Sequence, residues 1–123
     1  MGCKTTKSLK TIDSDRIVNN DGIYKCLYQT SAIVTSCKEF NIKNSIVELF
    51  LCENDIIIKG KGINFTIIYQ QILNWKTGNN HWSFTCIIDN KNILFNFSLD
   101  NAKELSNNLS EITHELVDYY NNL

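Results

Sequence analysis

The sequence predicts an α+β fold: a seven-stranded, bent antiparallel sheet or barrel capped by one C-terminal amphipathic helix. Two observations lead there. From Ile23 to Phe97 apolar residues alternate with polar ones, or run in short blocks, and turn-prone residues bound each block. After Ser98 the apolar period lengthens from two to about 3.6, with Ala102, Leu105, Leu109, Ile112, Leu116 and Tyr119 spaced by three and four. Such a stripe must be buried, so the helix is expected to cover an open end of the sheet.

The elements follow in order. Residues 1–20 are polar and aperiodic and read as a flexible tail, leaving 21–123 as the folded domain. Residues 23–28 form a β-prone segment that Ala32, Ile33 and Val34 extend, up to a polar break over Ser36, Cys37, Lys38 and Glu39. Residues 45–52 and 55–59 read as two antiparallel strands joined by a tight turn at Glu53 and Asn54. Gly60, Lys61 and Gly62 supply a second permissive turn, and 63–68 resumes the alternation. A shorter strand over 72–76 ends at the turn-rich Thr77, Gly78, Asn79 and Asn80. Residues 81–88 and 93–97 complete the sheet around a hairpin at Asp89 to Asn92. Ser98 or Asp100 is placed to cap the helix, and Asp100 and Glu104 suit its positive end.

The chain has 123 residues, 43% apolar, with no proline. A single core at this length buries roughly 65% of the surface an unfolded chain exposes, so one domain is expected and no metal or disulfide staple is required. Twelve basic residues stand against thirteen acidic ones. A net charge of −1 argues against nucleic acid as a partner, which calls for a basic face dense enough to neutralise several phosphates. No apolar run is long enough to span a bilayer, and the first sixteen residues hold lysines where a secretory signal needs an apolar stretch. Five cysteines without a CxxC pair fit reduced thiols in the cytosol, those after Cys3 as core residues.

Chemistry concentrates at the amino terminus. Met1-Gly2-Cys3-Lys4-Thr5-Thr6 matches M-G-x-x-x-[ST], the acceptor pattern for N-myristoylation of Gly2. Cys3 beside it is placed for S-palmitoylation. A second signal is what the physics asks for, because one myristoyl chain binds a membrane with an association constant of only about 10⁴ M⁻¹. Lys4, Lys7 and Lys10 add local positive charge, worth on the order of 1 kcal/mol each beside an anionic leaflet. The expected place of the protein is therefore the cytoplasmic face of a membrane. Catalytic candidates are thin. His81 opens a strand next to Trp82, and His114 lies off the apolar face of the helix. No His/Cys/Asp set has metal-ligand spacing and no glycine-rich loop is shaped for phosphate, so neither enzyme, metal nor cofactor is expected.

Seven strands followed by one helix resemble the pleckstrin-homology-like (PH-like) superfold. The likeness runs from Val47 to Tyr120, through the Ile72-Leu73-Asn74-Trp75 strand, the aromatic strand after it and the helix start Asp100-Asn101-Ala102-Lys103-Glu104. It is similar to phosphotyrosine-binding domains and to the third lobe of FERM domains, since the terminal helix lacks the tryptophan usual in pleckstrin-homology domains proper. The pairing of an acylated terminus with a lone PH-like domain is similar to the inner-membrane-complex sub-compartment proteins of apicomplexan parasites. The resemblance implies a peptide groove between the strand before Trp82 and the terminal helix, bordered by Ile72, Leu73, Trp75, Leu109 and Leu116, where an extended partner adds a strand. It also implies phosphoinositide head-group binding as the rival role, with Lys38 and Lys43 in the loop after the first strand. Phosphotyrosine recognition is disfavoured, because the only arginine is Arg16, in the tail. The expected function is a membrane-tethered adaptor with a protein partner.

Overall fold

The structure, a computed structural model, describes residues 16–19 and 22–121, with side-chain surroundings from residue 25 to residue 114. Eight strands and one long helix follow in order: β1 (Arg16–Asn19), β2 (Gly22–Cys37), β3 (Ile42–Cys52), β4 (Asp55–Gly60), β5 (Ile63–Ile68), β6 (Ile72–Thr77), β7 (His81–Ile88), β8 (Lys91–Ser98) and α1 (Ala102–Asn121). Seven strands form one antiparallel sheet in the order β5-β4-β3-β2-β8-β7-β6, and β1 pairs with the start of β2. The sheet is not closed; β5 and β6 are its two ends. An α+β sheet capped by a C-terminal helix is the predicted class, and the arrangement is compatible with a PH-like fold.

Period-two patterning decides which face is core. On β7 Trp82, Phe84 and Cys86 point to the helix side while His81, Ser83 and Thr85 alternate with them. On β8 Ile93, Phe95 and Phe97 do the same, and Phe84 stacks on Phe95 with ring centroids 5.1 Å apart. Ala102, Leu105 and Leu109 of α1 close this face and are fully buried, each leucine contributing roughly 1.5–3 kcal/mol. Cys26, Phe50, Cys52 and Ile57 form a second, smaller cluster, since Phe50 and Cys52 lie opposite in phase to core residues Leu49 and Leu51.

Two turns follow from their residues. Asp89 and Asn90 both take positive φ (52° and 65°), so the β7–β8 hairpin closes in two residues, with Ile88 paired to Lys91. Gly62 has φ +71° between β4 and β5, and at Gly60 a Cβ would sit 2.7 Å from the Ile46 carbonyl oxygen.

Four expectations are corrected. The segment read as a tail through Asn20 contains a strand, because Arg16–Asn19 find a ladder partner in Gly22 to Lys25. The first long strand does not break at Ser36 but runs to Cys37. A register shift between Val34 and Ser36 turns Ser36 to the outer face beside Asn96 and returns Cys37 to the core, so Thr35 and Ser36 form a bulge inside the strand. Lys43 consequently sits in β3 opposite Ser36, while Lys38 opens the short 3₁₀ turn Lys38–Phe40, so the two do not share one loop. The first helical bond, Leu105 N–H to the Asn101 carbonyl at 3.0 Å, makes Asn101 the capping position rather than Ser98 or Asp100.

Candidate functional site: the β6 edge and its outer face

β6 is short, ends at a polar turn and pairs on one side with β7. Its other side is the end of the sheet, where alternate N–H and C=O groups point away from the ladder. The helix lies alongside. Trp75, half-buried, packs against the core and donates from Nε1 to Ser106 Oγ at 3.1 Å, which ties β6 to α1. A second tie fixes the helix start to β2: the Tyr28 hydroxyl donates to Glu104 Oε2 at 2.9 Å, the Asn101 amide donates to Tyr28, and Thr30 donates to Asn101 Oδ1 at 3.1 Å. Burial, with the Glu104 carboxylate, pushes the Tyr28 phenol well up, so it stays a donor.

The predicted groove residues separate on this frame. Ile72 is half-buried and packs on the core, and Leu73, at a register shift against β7, is 50% exposed. Leu109 is fully buried core and offers no surface to a partner. Leu116 belongs to α1, with its side chain outside the described part, and Gly2, Cys3, Lys4, Lys7 and Lys10 lie outside the described residues. Lys38, Lys43, His81 and His114 are exposed.

The chain carries one feature that pattern reading passed over. On the outer face of β6, β7 and β8 a depression of about 410 Å³ is lined by Asn74 and Lys76, by His81, Ser83 and Thr85, and by Leu94 and Asn96. Register aligns Lys76 with Ser83, Ser83 with Asn96, Asn96 with Ser36 and Ser36 with Lys43, giving one polar row across five strands. The Asn96 amide donates to Ser36 Oγ at 3.1 Å. No carboxylate lines the depression. The signal in the sequence is the polar phase of three consecutive strands, Asn74 and Lys76, His81, Ser83 and Thr85, and Asn96.

The described cysteines are buried free thiols. Burial pushes Cys86 up to about 11 and raises Cys37. Cys26 faces Cys52 across β2 and β3, and their contact, with burial, drives Cys52 far up, which keeps Cys52 a thiol. Among the described residues no group of three His, Cys, Asp or Glu is placed to hold a metal ion, and no described helix is long and apolar enough to cross a membrane. Comparison of the chain with protein-family models finds no match, and comparison with curated proteins finds none either.

Proposed function

We propose that this protein is a non-enzymatic adaptor, held at the cytoplasmic face of a membrane by acyl chains on Gly2 and Cys3, whose PH-like domain binds an extended segment of a protein partner. The observation that carries the binding half is the unpaired side of β6 beside α1, with Leu73 half-exposed on it. A sheet edge offers ready main-chain hydrogen bonds to an incoming strand, and the flanking helix supplies a wall for alternate side chains. The tethering half rests on the sequence Met1 to Thr6 and the three lysines around it. The closer relationship to phosphotyrosine-binding domains or the FERM third lobe belongs to this proposal, supported by the strand order and by the helix beside the edge strand.

Metabolic labelling with a myristate analogue tests the tether: wild type takes label and Gly2→Ala does not. Label that survives Gly2→Ala, or none on wild type, removes it. Co-sedimentation of the unacylated chain with phosphoinositide vesicles tests the rival role. Binding lost in Lys38→Ala/Lys43→Ala would replace the adaptor with a head-group sensor; no binding is expected.

A further inference from the structure

We infer that the outer-face depression beside β6 selects the partner: it receives acidic side chains of the extended segment that adds to the β6 edge. The inference rests on the edge-binding reading above and names the chemistry of the partner.

Three features of the depression carry it. Its polar lining is unused: among the described residues the side chains of Asn74, Lys76, His81, Ser83 and Thr85 have no hydrogen-bond or ion-pair partner. Ser83 is only 6% exposed and lines the depression, and its hydroxyl has no protein partner among the described residues. The charge is of one sign, with Lys76 on the lining and no carboxylate among the seven residues.

Geometry links the depression to the edge. An added strand lies roughly 4.8 Å beyond β6, and every second side chain falls on the outer face. A residue directly opposite Lys76 then has its Cβ about 4.5–5.5 Å from that of the lysine, and the next outer-face residue, two positions on, stands opposite Asn74. A glutamate opposite Lys76 pairs with the ammonium, and its carboxylate is aimed along the row Lys76, Ser83, Asn96. A lysine there meets like charge. The other phase of the same segment faces the α1 side, where apolar residues meet Leu73 and Trp75. The partner is thus an alternating acidic and apolar segment.

The test uses the full chain, ¹⁵N-labelled, and three eight-residue probes in which valine alternates with glutamate, with serine or with lysine, so that every two-residue shift of register presents the same outer phase. The glutamate probe is expected to shift the amide signals of β6 and of residues 81–85, to bind at least about fivefold tighter than the serine probe, and to weaken with added salt. The lysine probe is expected to bind weakest, and Lys76→Glu, an exposed change whose retained fold the same spectrum checks, is expected to reverse the order. Equal binding of all three probes with β6 signals shifting overturns the acidic selection and leaves the edge reading standing. No shift at β6 with any probe removes the edge reading and this inference with it. Inorganic phosphate shifting residues 81–85 as strongly as the glutamate probe, with β6 silent, makes the depression a small-anion site and overturns the inference.

Discussion

Asp55 opens β4 with 5% of its surface exposed and with Oδ1 lacking any partner. Burial pushes its pKa up, and the hydrogen bond with Cys52 only partly opposes that. The folded chain therefore prefers the protonated acid more than the unfolded chain does. Its contribution to stability is fully present below the ordinary carboxylate value of about 3.9 and is lost as pH rises through the elevated folded value. Asp55→Asn, which keeps the shape without the charge, is expected to raise stability by about 1 kcal/mol at pH 7 and by little at pH 3, read as the difference in Tm between the two proteins at each pH. Gly60 gives the opposite case. A Cβ there meets the Ile46 carbonyl at 2.7 Å and Val47 Cγ1 at 2.9 Å, and the first of these is backbone that the β2–β3 ladder holds in place. Gly60→Ala is expected to cost about 1–3 kcal/mol in urea unfolding, with the slope against urea unchanged. Neither effect is visible in a hydropathy pattern, because burial of a strand-opening Asp and the nearness of a neighbouring carbonyl are properties of the pairing.

At the level of elements, β3 to β8 and α1 were legible because each is an alternating, helical or short continuous apolar run bounded by turn residues, and many of the residues that fill the core lie on its apolar phase: Leu49, Leu51, Trp82, Phe84, Phe95, Phe97, Leu105 and Leu109. The errors fall where the period slips. Thr35 and Ser36 sit at a bulge, and two polar residues in a row look like a strand end when the ladder in fact continues to Cys37. Asn41 and Asn44 take positive φ (55° and 50°), which lets β3 begin at Ile42, ahead of the alternating run that announced it. The groove was half legible. The resemblance to the PH-like superfold implied β6 and α1 as the groove's two walls, yet the same stripe that marks a helix face marks core, so Leu109 could not be told from a groove wall without the packing. The tie between the two elements is one hydrogen bond that no pattern announces, Trp75 Nε1 to Ser106. Ser106→Ala leaves the half-buried indole N–H unpaired and is expected to destabilise the fold by about 1 kcal/mol, with amide exchange in β6 rising more than in β3 or β4.

Across the whole molecule charge is unevenly divided. Residues 1–15 carry +1 and residues 16–123, from the first strand onward, carry −2, so the near-neutral total hides two parts of opposite sign. A domain with that sign is repelled by an anionic leaflet, and the three lysines among the first ten residues offset the repulsion only over a Debye length of about 8 Å at physiological salt. On the tether proposed above, membrane residence comes from acyl chains, and one chain, at about 10⁴ M⁻¹, leaves a protein exchanging with solution. The two positions predict different failures. Gly2→Ala, which removes the first chain and with it the membrane contact that brings Cys3 to an acyltransferase, is expected to move the protein wholly into the soluble fraction. Cys3→Ser keeps the myristoyl chain and the lysines, so it is expected to leave a partial membrane fraction that washes out when salt is raised from 0.15 M to about 1 M, where screening shortens to about 3 Å. Wild-type protein carrying both chains is expected to stay bound at either salt. A Cys3→Ser protein that resists the high-salt wash would mean that a second contact, made by the domain itself, holds the membrane, and the separation of a tethering tail from a partner-binding edge would fail.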